Sequence, residues 1–401
     1  MKKRNNPQNF ISIVGFFKSE ATSGLLLIFC AIIALLIANS HFATTYNHIL
    51  HTSVTIGYKQ ASLSMSVLHW VNDGLMTIFF FAVGMEIKRE LVIGELKSLK
   101  QALLPISAAM GGMVVPAVIF TLFNYGEPTI SGWGIPMATD IAFSLGILSL
   151  VGKRAPRGIV VFLTALAIAD DLGAIIVIAL FYTRNISLVS LTISALALIF
   201  LILANKLKIT FIPIYLVGGV ILWLSLLESG IHATIAGVLL GMVLPIGKNI
   251  DEFKKSVLFK LEHVITPVST YVVMPIFALA NSGVSINLKS LASDIFTPVS
   301  LGIIVGLIMG KQLGVFGVSY ILIKCNFAKL PAGVTKKHLY GASVLAGIGF
   351  TMSLFISSLS FSEEFIIATA KTSIMVASVL SGILGVIVFK SIKEPLNEKC
   401  I

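Results

Sequence analysis

The chain has 401 residues, of which 56% are hydrophobic and 12% charged, and its mean hydropathy is +0.98. Soluble domains carry about twice that share of charged residues, so the composition predicts a polytopic membrane protein without room for a sizeable soluble domain. The formal charge of +11 would favour nucleic acid in a soluble protein, but in a membrane protein it is typical of cytoplasmic loops. The three cysteines are scattered, which indicates neither a disulfide framework nor a metal cluster.

Apolar segments separated by Gly, Pro and charge clusters predict twelve transmembrane helices. The predicted spans are 21–39, 66–87, 101–123, 129–151, 158–182, 186–205, 209–227, 230–246, 261–281, 299–323, 338–361 and 365–389. Residues 44–64, with a turn at 57–59, predict a small β-hairpin outside the membrane. We therefore expect one all-α integral membrane domain over residues 1–401.

The basic residues orient the chain in the bilayer. If the N-terminus lies inside, 24 of the 29 Lys and Arg residues fall in inner segments, and the outer loops carry only Lys59, Arg184 and Lys289. This asymmetry predicts that both termini are cytoplasmic. The positive charge thus reflects topology, and nucleic acid is excluded as a partner.

Two adjacent aspartates, Asp170 and Asp171, stand about a dozen residues into an otherwise uncharged span. At 1.5 Å rise per residue they lie roughly 18 Å deep, near the bilayer midplane. A carboxylate there costs about 2.5–3.5 kcal/mol on insertion scales, and two like charges together cost more. Such a pair needs a compensating cation, a proton, or both. Cation and proton would therefore compete for this pair.

The fourth and eleventh predicted spans contain breaks. Asp140 follows Pro136, which removes a backbone donor and disfavours helix at the preceding residue. A kinked helix with a paired aspartate is the alternative interpretation. A second break is predicted at Gly347–Gly349. Two interrupted helices at corresponding positions indicate inverted repeats, about 101–182 and 299–389, whose interrupted helices cross mid-membrane with the site between them.

Lys311 lies at mid-depth in the tenth span, beside glycines at every fourth position. These are Gly302, Gly306, Gly310 and Gly314. Such a ridge lets a second helix approach closely, and we expect it to pack on the small-residue stripe of the fifth span, so that Lys311 reaches Asp170 or Asp171. That stripe consists of Ala165, Ala169 and Gly173. Lys311 and Asp140 would also neutralise the dipole ends of the crossing half-helices. Simple packing of the glycines and a purely structural buried ion pair remain alternatives.

Charged residues gather at the cytoplasmic ends of the second and ninth spans. Glu86 and Glu90 are one helical turn apart, with Arg89 beside them. Glu262 and His263 begin the ninth span on the same side of the membrane. Because only His titrates near neutral pH when unperturbed, the cluster predicts a pH-responsive region. Ordinary ion pairs at a solvated helix end are the alternative.

Four motifs identify a resemblance that extends through essentially the whole chain. They are IPMATDIAF at Ile135–Phe143, LAIADDLGA at Leu166–Ala174, GMEIKRE at Gly84–Glu90 and GKQLG at Gly310–Gly314. Together they resemble the NhaA family of bacterial sodium/proton antiporters. The resemblance implies a multi-pass protein of the bacterial inner membrane, driven by the proton gradient, that exchanges intracellular Na⁺ or Li⁺ for external H⁺. It also implies electrogenic, pH-regulated transport without a cofactor, and a homodimer formed through the extracellular hairpin.

By motif position, the resemblance also implies residue roles. Asp171 and Asp170 would be the central carboxylates, with Asp171 the preferred Na⁺ ligand, and Lys311 would pair with Asp170 in the cation-free state. Thr139 and Asp140 would belong to the unwound crossing. The cytoplasmic funnel and pH-sensing region would comprise Glu86, Arg89, Glu90, Glu262 and His263.

Two other functions fit carboxylates at mid-depth. An intramembrane aspartyl protease needs two facing aspartates on separate helices, usually with a Gly-x-Gly-Asp signature, which this chain lacks; Asp140 could supply the second face. A passive cation channel needs a continuous pore, whereas the inner charges favour occlusion. We therefore expect a secondary transporter and not an enzyme.

Overall fold

The computed structural model of the protein describes residues 7–58, 61–183, 186–285 and 294–392. The main elements in chain order are α1 (Pro7–Ala38), α2 (Ala43–His51), β1 (Ser53–Tyr58), β2 (Ala61–Ser66), α3 (Val67–Val92), α4 (Leu99–Phe123), a 3₁₀ helix (Pro128–Met137), α5 (Ile141–Leu150), α6 (Arg157–Phe181), α7 (Leu188–Lys206), α8 (Ile212–Ser229), α9 (Ile235–Val243), α10 (Ile250–Phe253), α11 (Val257–Asn281), α12 (Pro298–Lys324), α13 (Lys336–Leu345), α14 (Phe350–Ser360) and α15 (Glu364–Lys390).

The predicted all-α membrane fold is confirmed. Among the described residues, eight helices are long and apolar enough to cross a bilayer, and three bent helix pairs raise the number to as many as eleven. The difference from the predicted twelve lies in span 230–246, where α9 has only nine residues. A helix of that length rises about 14 Å, roughly half of the hydrocarbon core. Glycines at 237 and 241 instead let α9 pack backbone to backbone against α3.

The predicted β-hairpin is also confirmed. β1 and β2 pair antiparallel, from Ser53 opposite Ser66 to Tyr58 opposite Ala61, whereas the first part of the predicted segment 44–64 is the helix α2. Trp70 at the start of α3 fixes the hairpin, because its indole Nε1 donates to the Val54 carbonyl at 3.0 Å. The basic residues of the predicted outer loops lie outside the described residues. They are Lys59, Arg184 and Lys289.

Both predicted breaks are present and lie against each other. The 3₁₀ helix and α5 are bent by 45° around 138–140, and α13 and α14 are bent by 43° around 346–349. At the contact, the Asp140 backbone N–H donates to the Ile348 carbonyl at 2.7 Å. The two irregular stretches thus satisfy part of each other's backbone inside the protein, as the lack of water in a bilayer requires.

Helix α4 separates the two helices that carry the central charges. A Cβ atom at Gly314 of α12 would overlap the Gly111 carbonyl of α4, and one at Gly173 of α6 would overlap the Met113 side chain of the same helix. The predicted packing of the glycine ridge on the α6 stripe is therefore wrong. Small residues permit close approach by any helix, and α4 offers its own small pair, Gly111 and Gly112, to the ridge.

Candidate functional site

Lys311 and Asp170 form an ion pair in the middle of the protein. Lys311 Nζ donates to Asp170 Oδ2 at 2.6 Å, and both side chains are fully buried. The lysine crosses α4 at Gly112, where an added Cβ atom would stand 3.7 Å from Nζ. Of the two partners predicted for Lys311, the structure brings it to Asp170.

Asp171 has different surroundings from its neighbour. Asp171 is 5% exposed, and its Oδ1 atom is buried and accepts no hydrogen bond from the described residues. Asp170 Oδ1 is likewise without a donor there. Buried polar atoms nearly always have a partner, so these two adjacent carboxylates have unused capacity for a proton or a cation.

Asp140 connects the two interrupted helices. Its Oδ1 accepts from the Phe143 N–H at 2.9 Å, at the start of α5. Its Oδ2 accepts from the Thr351 N–H at 3.1 Å and from the Thr351 hydroxyl, at the start of α14. One carboxylate thus caps two half-helix N-termini, whose partial positive charges it balances.

Hydroxyl groups on each interrupted helix pair donate to backbone carbonyls of the other pair. The hydroxyls of Thr139, Ser144 and Ser353 donate to the carbonyls of Ala346, Leu345 and Ile135, respectively, at 2.7–3.0 Å. Thr139 is buried and lies beside Asp170. The predicted neutralisation of half-helix ends therefore holds for Asp140, whereas Lys311 bonds to Asp170 instead of to these carbonyls.

Four of the five predicted funnel residues form one cluster. Arg89 lies 3.4 Å from Glu86 and 3.3 Å from Glu90, and its Nη1 donates to Glu262 Oε1. His263 follows Glu262 in the chain, but it is exposed and its ring stacks on a neighbouring phenylalanine. The structure does not bring His263 into the cluster.

A cavity of about 190 Å³ joins the two charged regions. Glu86, Arg89 and Glu262 line one part of it, and Asp171 and Thr139 line another. The same cavity therefore borders both the charged cluster at the ends of α3 and α11 and the carboxylate of Asp171.

Comparison with known proteins assigns the family. The profile of the Na⁺/H⁺ antiporter 1 family matches residues 15–389. The chain belongs to this family. The Na(+)/H(+) antiporter NhaA 1 of Clostridium beijerinckii is 64% identical over 384 residues, which are 96% of each chain. The Na(+)/H(+) antiporter NhaA of Pelagibacter ubique is 50% identical over 373 residues, 92% of this chain and 95% of the relative. That of Psychrobacter cryohalolentis is 46% identical over 387 residues, 96% of each chain. The resemblance seen in the four motifs is confirmed.

Sequence reasoning missed two kinds of residue in this member of the antiporter family. Lys88 Nζ donates to the Met242 and Leu244 carbonyls at 2.7 and 2.5 Å, so it caps the C-terminus of α9. A lysine near a helix end is ordinary, and nothing in the sequence pointed to its partners. The hydroxyls of Ser144 and Ser353 carried no signal either, because serine is common in membrane helices that pack closely.

Proposed function

We propose that this antiporter-family protein exchanges cytoplasmic Na⁺ or Li⁺ for external H⁺ at the pair Asp170 and Asp171. The observation that carries the proposal is the unpartnered, buried Oδ1 of Asp171, in a cavity shared with a charged cluster. Na⁺ prefers hard oxygen ligands, as hard cations do. Asp171 is the preferred ligand, because Asp170 already has a cationic partner.

Exchange follows from competition for one pair of carboxylates. When Na⁺ is bound, its charge replaces that of the protons and weakens the hold of Asp170 on Lys311. The ammonium group then either moves away from Asp170 or gives up its proton. If the protein alternates between inward-open and outward-open states only when it has bound Na⁺ or protons, this competition produces coupled antiport. More than one titrating group in the pair supports electrogenic exchange, with more than one proton per cation.

The crossing of the two breaks supports alternating access. The 3₁₀ helix and α5 lie in the proposed repeat 101–182, and α13 and α14 lie in the proposed repeat 299–389. Inverted-repeat transporters work by rocking one such unit against the other. Asp140 and the hydroxyls around it hold both breaks together. Their role in this proposal is to position the crossing beside Asp170 and Asp171.

We also propose a pH-responsive region, a membrane location and a dimer contact. The cluster of Arg89 with three glutamates is the proposed pH-responsive region, because it lies at the cavity and its charge balance depends on carboxylate protonation. We place the protein in the bacterial inner membrane with both termini cytoplasmic, on the distribution of Lys and Arg. The exposed outer hairpin is the proposed homodimer contact.

The rival functions gain no support from the site. A protease needs a second carboxylate free to face Asp171, whereas both oxygens of Asp140 accept hydrogen bonds at the half-helix ends. A channel needs a continuous polar pore, whereas Asp170 and Lys311 are fully buried in a tight pair. Cation–proton exchange is compatible with both the hydrogen-bonded Asp140 and the buried pair of Asp170 and Lys311.

Proton movement in membrane vesicles tests the proposal. In everted vesicles that contain the unmodified protein, addition of Na⁺ or Li⁺ should dissipate an imposed proton gradient, because protons leave the vesicles as the cation enters. Vesicles with Asp171→Asn should not respond, because the neutral amide can neither exchange a proton nor balance the cation. Activity of Asp171→Asn equal to that of the unmodified protein would overturn the assignment.

A further inference from the structure

Four hydroxyl side chains of the cavity lack the local hydrogen bond that hydroxyls in membrane helices usually make. Elsewhere in the protein Thr121, Thr372 and Ser373 each donate to the carbonyl one turn earlier on their own helix, the common arrangement for helical Ser and Thr. Four hydroxyls that line the cavity donate to no described residue. They are Thr164 of α6 and Thr266, Ser269 and Thr270 of α11.

These residues follow two helix faces that lead from the charged cluster towards the aspartates. On α11, residues 266, 269 and 270 stand four, seven and eight positions after Glu262, so the four share one face over about 12 Å. On α6, Thr164 precedes Asp171 by seven residues, which is two turns of the same face, or about 10 Å. Both faces border the same cavity.

The backbone of α11 is also irregular at this level. Residues Ser269–Val273 form a π turn, which widens the helix locally. Such turns are frequent at functional sites. The two innermost hydroxyls of α11, on Ser269 and Thr270, stand at the beginning of this turn.

Apolar side chains form much of the rest of the wall. They include Phe79, Ala82, Val83, Ile168 and Met274. An alkali ion that leaves water needs oxygen ligands throughout its path, because an unpaired charge in apolar surroundings is very costly. Hydroxyl oxygens supply such ligands without a formal charge that would trap the ion.

We propose that Thr164, Thr266, Ser269 and Thr270 form a hydroxyl-lined passage for the partly dehydrated alkali cation. The passage leads from the cluster around Arg89 to Asp171, and it rests on the proposed exchange at that residue. Each hydroxyl replaces a water of the hydration shell as the ion moves inward. The hydroxyls therefore lower the barrier to entry and contribute little to the final binding site.

Isosteric removal of the hydroxyls tests the passage. The full-length protein with Thr164→Val, Ser269→Ala and Thr270→Val combined is reconstituted in proteoliposomes, and kcat/KM for Na⁺ is measured. We expect a decrease of about tenfold, equivalent to about 1.4 kcal/mol of barrier. Equilibrium Na⁺ binding to the purified protein and its Tm should stay close to those of the unmodified protein.

Two controls separate the passage from general effects of the substitutions. Thr372→Val removes a hydroxyl that donates to the Ala368 carbonyl of its own helix, and it should leave kcat/KM unchanged. Thr164→Ser and Thr270→Ser keep an oxygen at each position and should retain most of the activity that the valine variants lose.

Three results would overturn the passage. The first is a triple variant whose kcat/KM lies within about twofold of the unmodified value. The second is a loss of equilibrium Na⁺ affinity that accounts for the whole decrease, which would place the hydroxyls in the final site. If the triple variant unfolds, single substitutions decide, and serine variants as impaired as valine variants would contradict it. Absence of Na⁺/H⁺ exchange by the unmodified protein would instead contradict the proposed function.

Discussion

Asp170 and Asp171 are adjacent in the chain but differ in what surrounds them. Asp170 lies in a fully buried pair with Lys311 at 2.6 Å, whereas Asp171 lines the cavity with an unpartnered oxygen. Successive residues of a helix point about 100° apart, so one side chain faces α4 and the lysine while the other faces the cavity. Adjacency in the chain therefore places the two carboxylates in different surroundings, one in an ion pair and the other at the cavity.

Substitution of Lys311 should reduce stability more than it reduces exchange. Lys311→Ala leaves the charge of Asp170 buried without its partner, and breaking such a pair costs about 3–5 kcal/mol. We expect a clearly lower Tm in detergent, with exchange weakened and not abolished. Adding Asp170→Asn should recover part of the lost Tm, because the uncompensated charge is then removed. A Tm equal to that of the unmodified protein would show that the pair does not stabilise the fold.

At the scale of helices and strands, the sequence predicted the helix breaks and the hairpin, but it did not predict which helices pack against each other. The break after Pro136, the break near Gly347 and the outer hairpin all follow from local backbone chemistry, and all are present. The helix that meets the α12 glycine ridge does not follow from local chemistry. The ridge encodes only a close approach, and the choice of α4 depends on the positions of Gly111 and Gly112 on a third helix.

The close contact of α12 with α4 predicts unequal effects of two glycine substitutions. Gly314→Val would force a side chain into the Gly111 carbonyl, and overpacking of this kind costs about 1–3 kcal/mol or more. Gly317→Ala, three residues further along the same helix, has open space within 4 Å and should be neutral or slightly stabilising. Thermal unfolding of both variants measures the difference. Equal Tm values would contradict the packing described for the ridge.

At the scale of the whole molecule, one cavity borders both Asp171 and the charged cluster around Arg89. In the proposed topology, which rests on the positive-inside rule, the Arg89 cluster and hence the cavity lie on the cytoplasmic side. The sequence predicts this side from its loops. It could not predict the cavity itself, because the cavity is an unfilled space between helices whose lining hydroxyls look like ordinary residues of membrane helices.

Thiol labelling tests which side the cavity faces. After replacement of Cys30, Cys325 and Cys400, a cysteine at Thr266 should react with a membrane-impermeant reagent in everted vesicles and not in right-side-out vesicles. A cysteine at the exposed Ser64 of the outer hairpin should show the reverse pattern. Labelling of both positions from the same side would contradict the topology.

Proton release on addition of Na⁺ reports whether Na⁺ and H⁺ compete for Asp170 and Asp171. Na⁺ is added to the purified protein in weakly buffered detergent solution while the pH is recorded. We predict that protons are released as Na⁺ binds, that apparent Na⁺ affinity falls as the pH is lowered, and that Asp171→Asn releases none. If the unmodified protein binds Na⁺, detected as an increase in Tm, and releases no protons, then Na⁺ and H⁺ do not compete for these carboxylates.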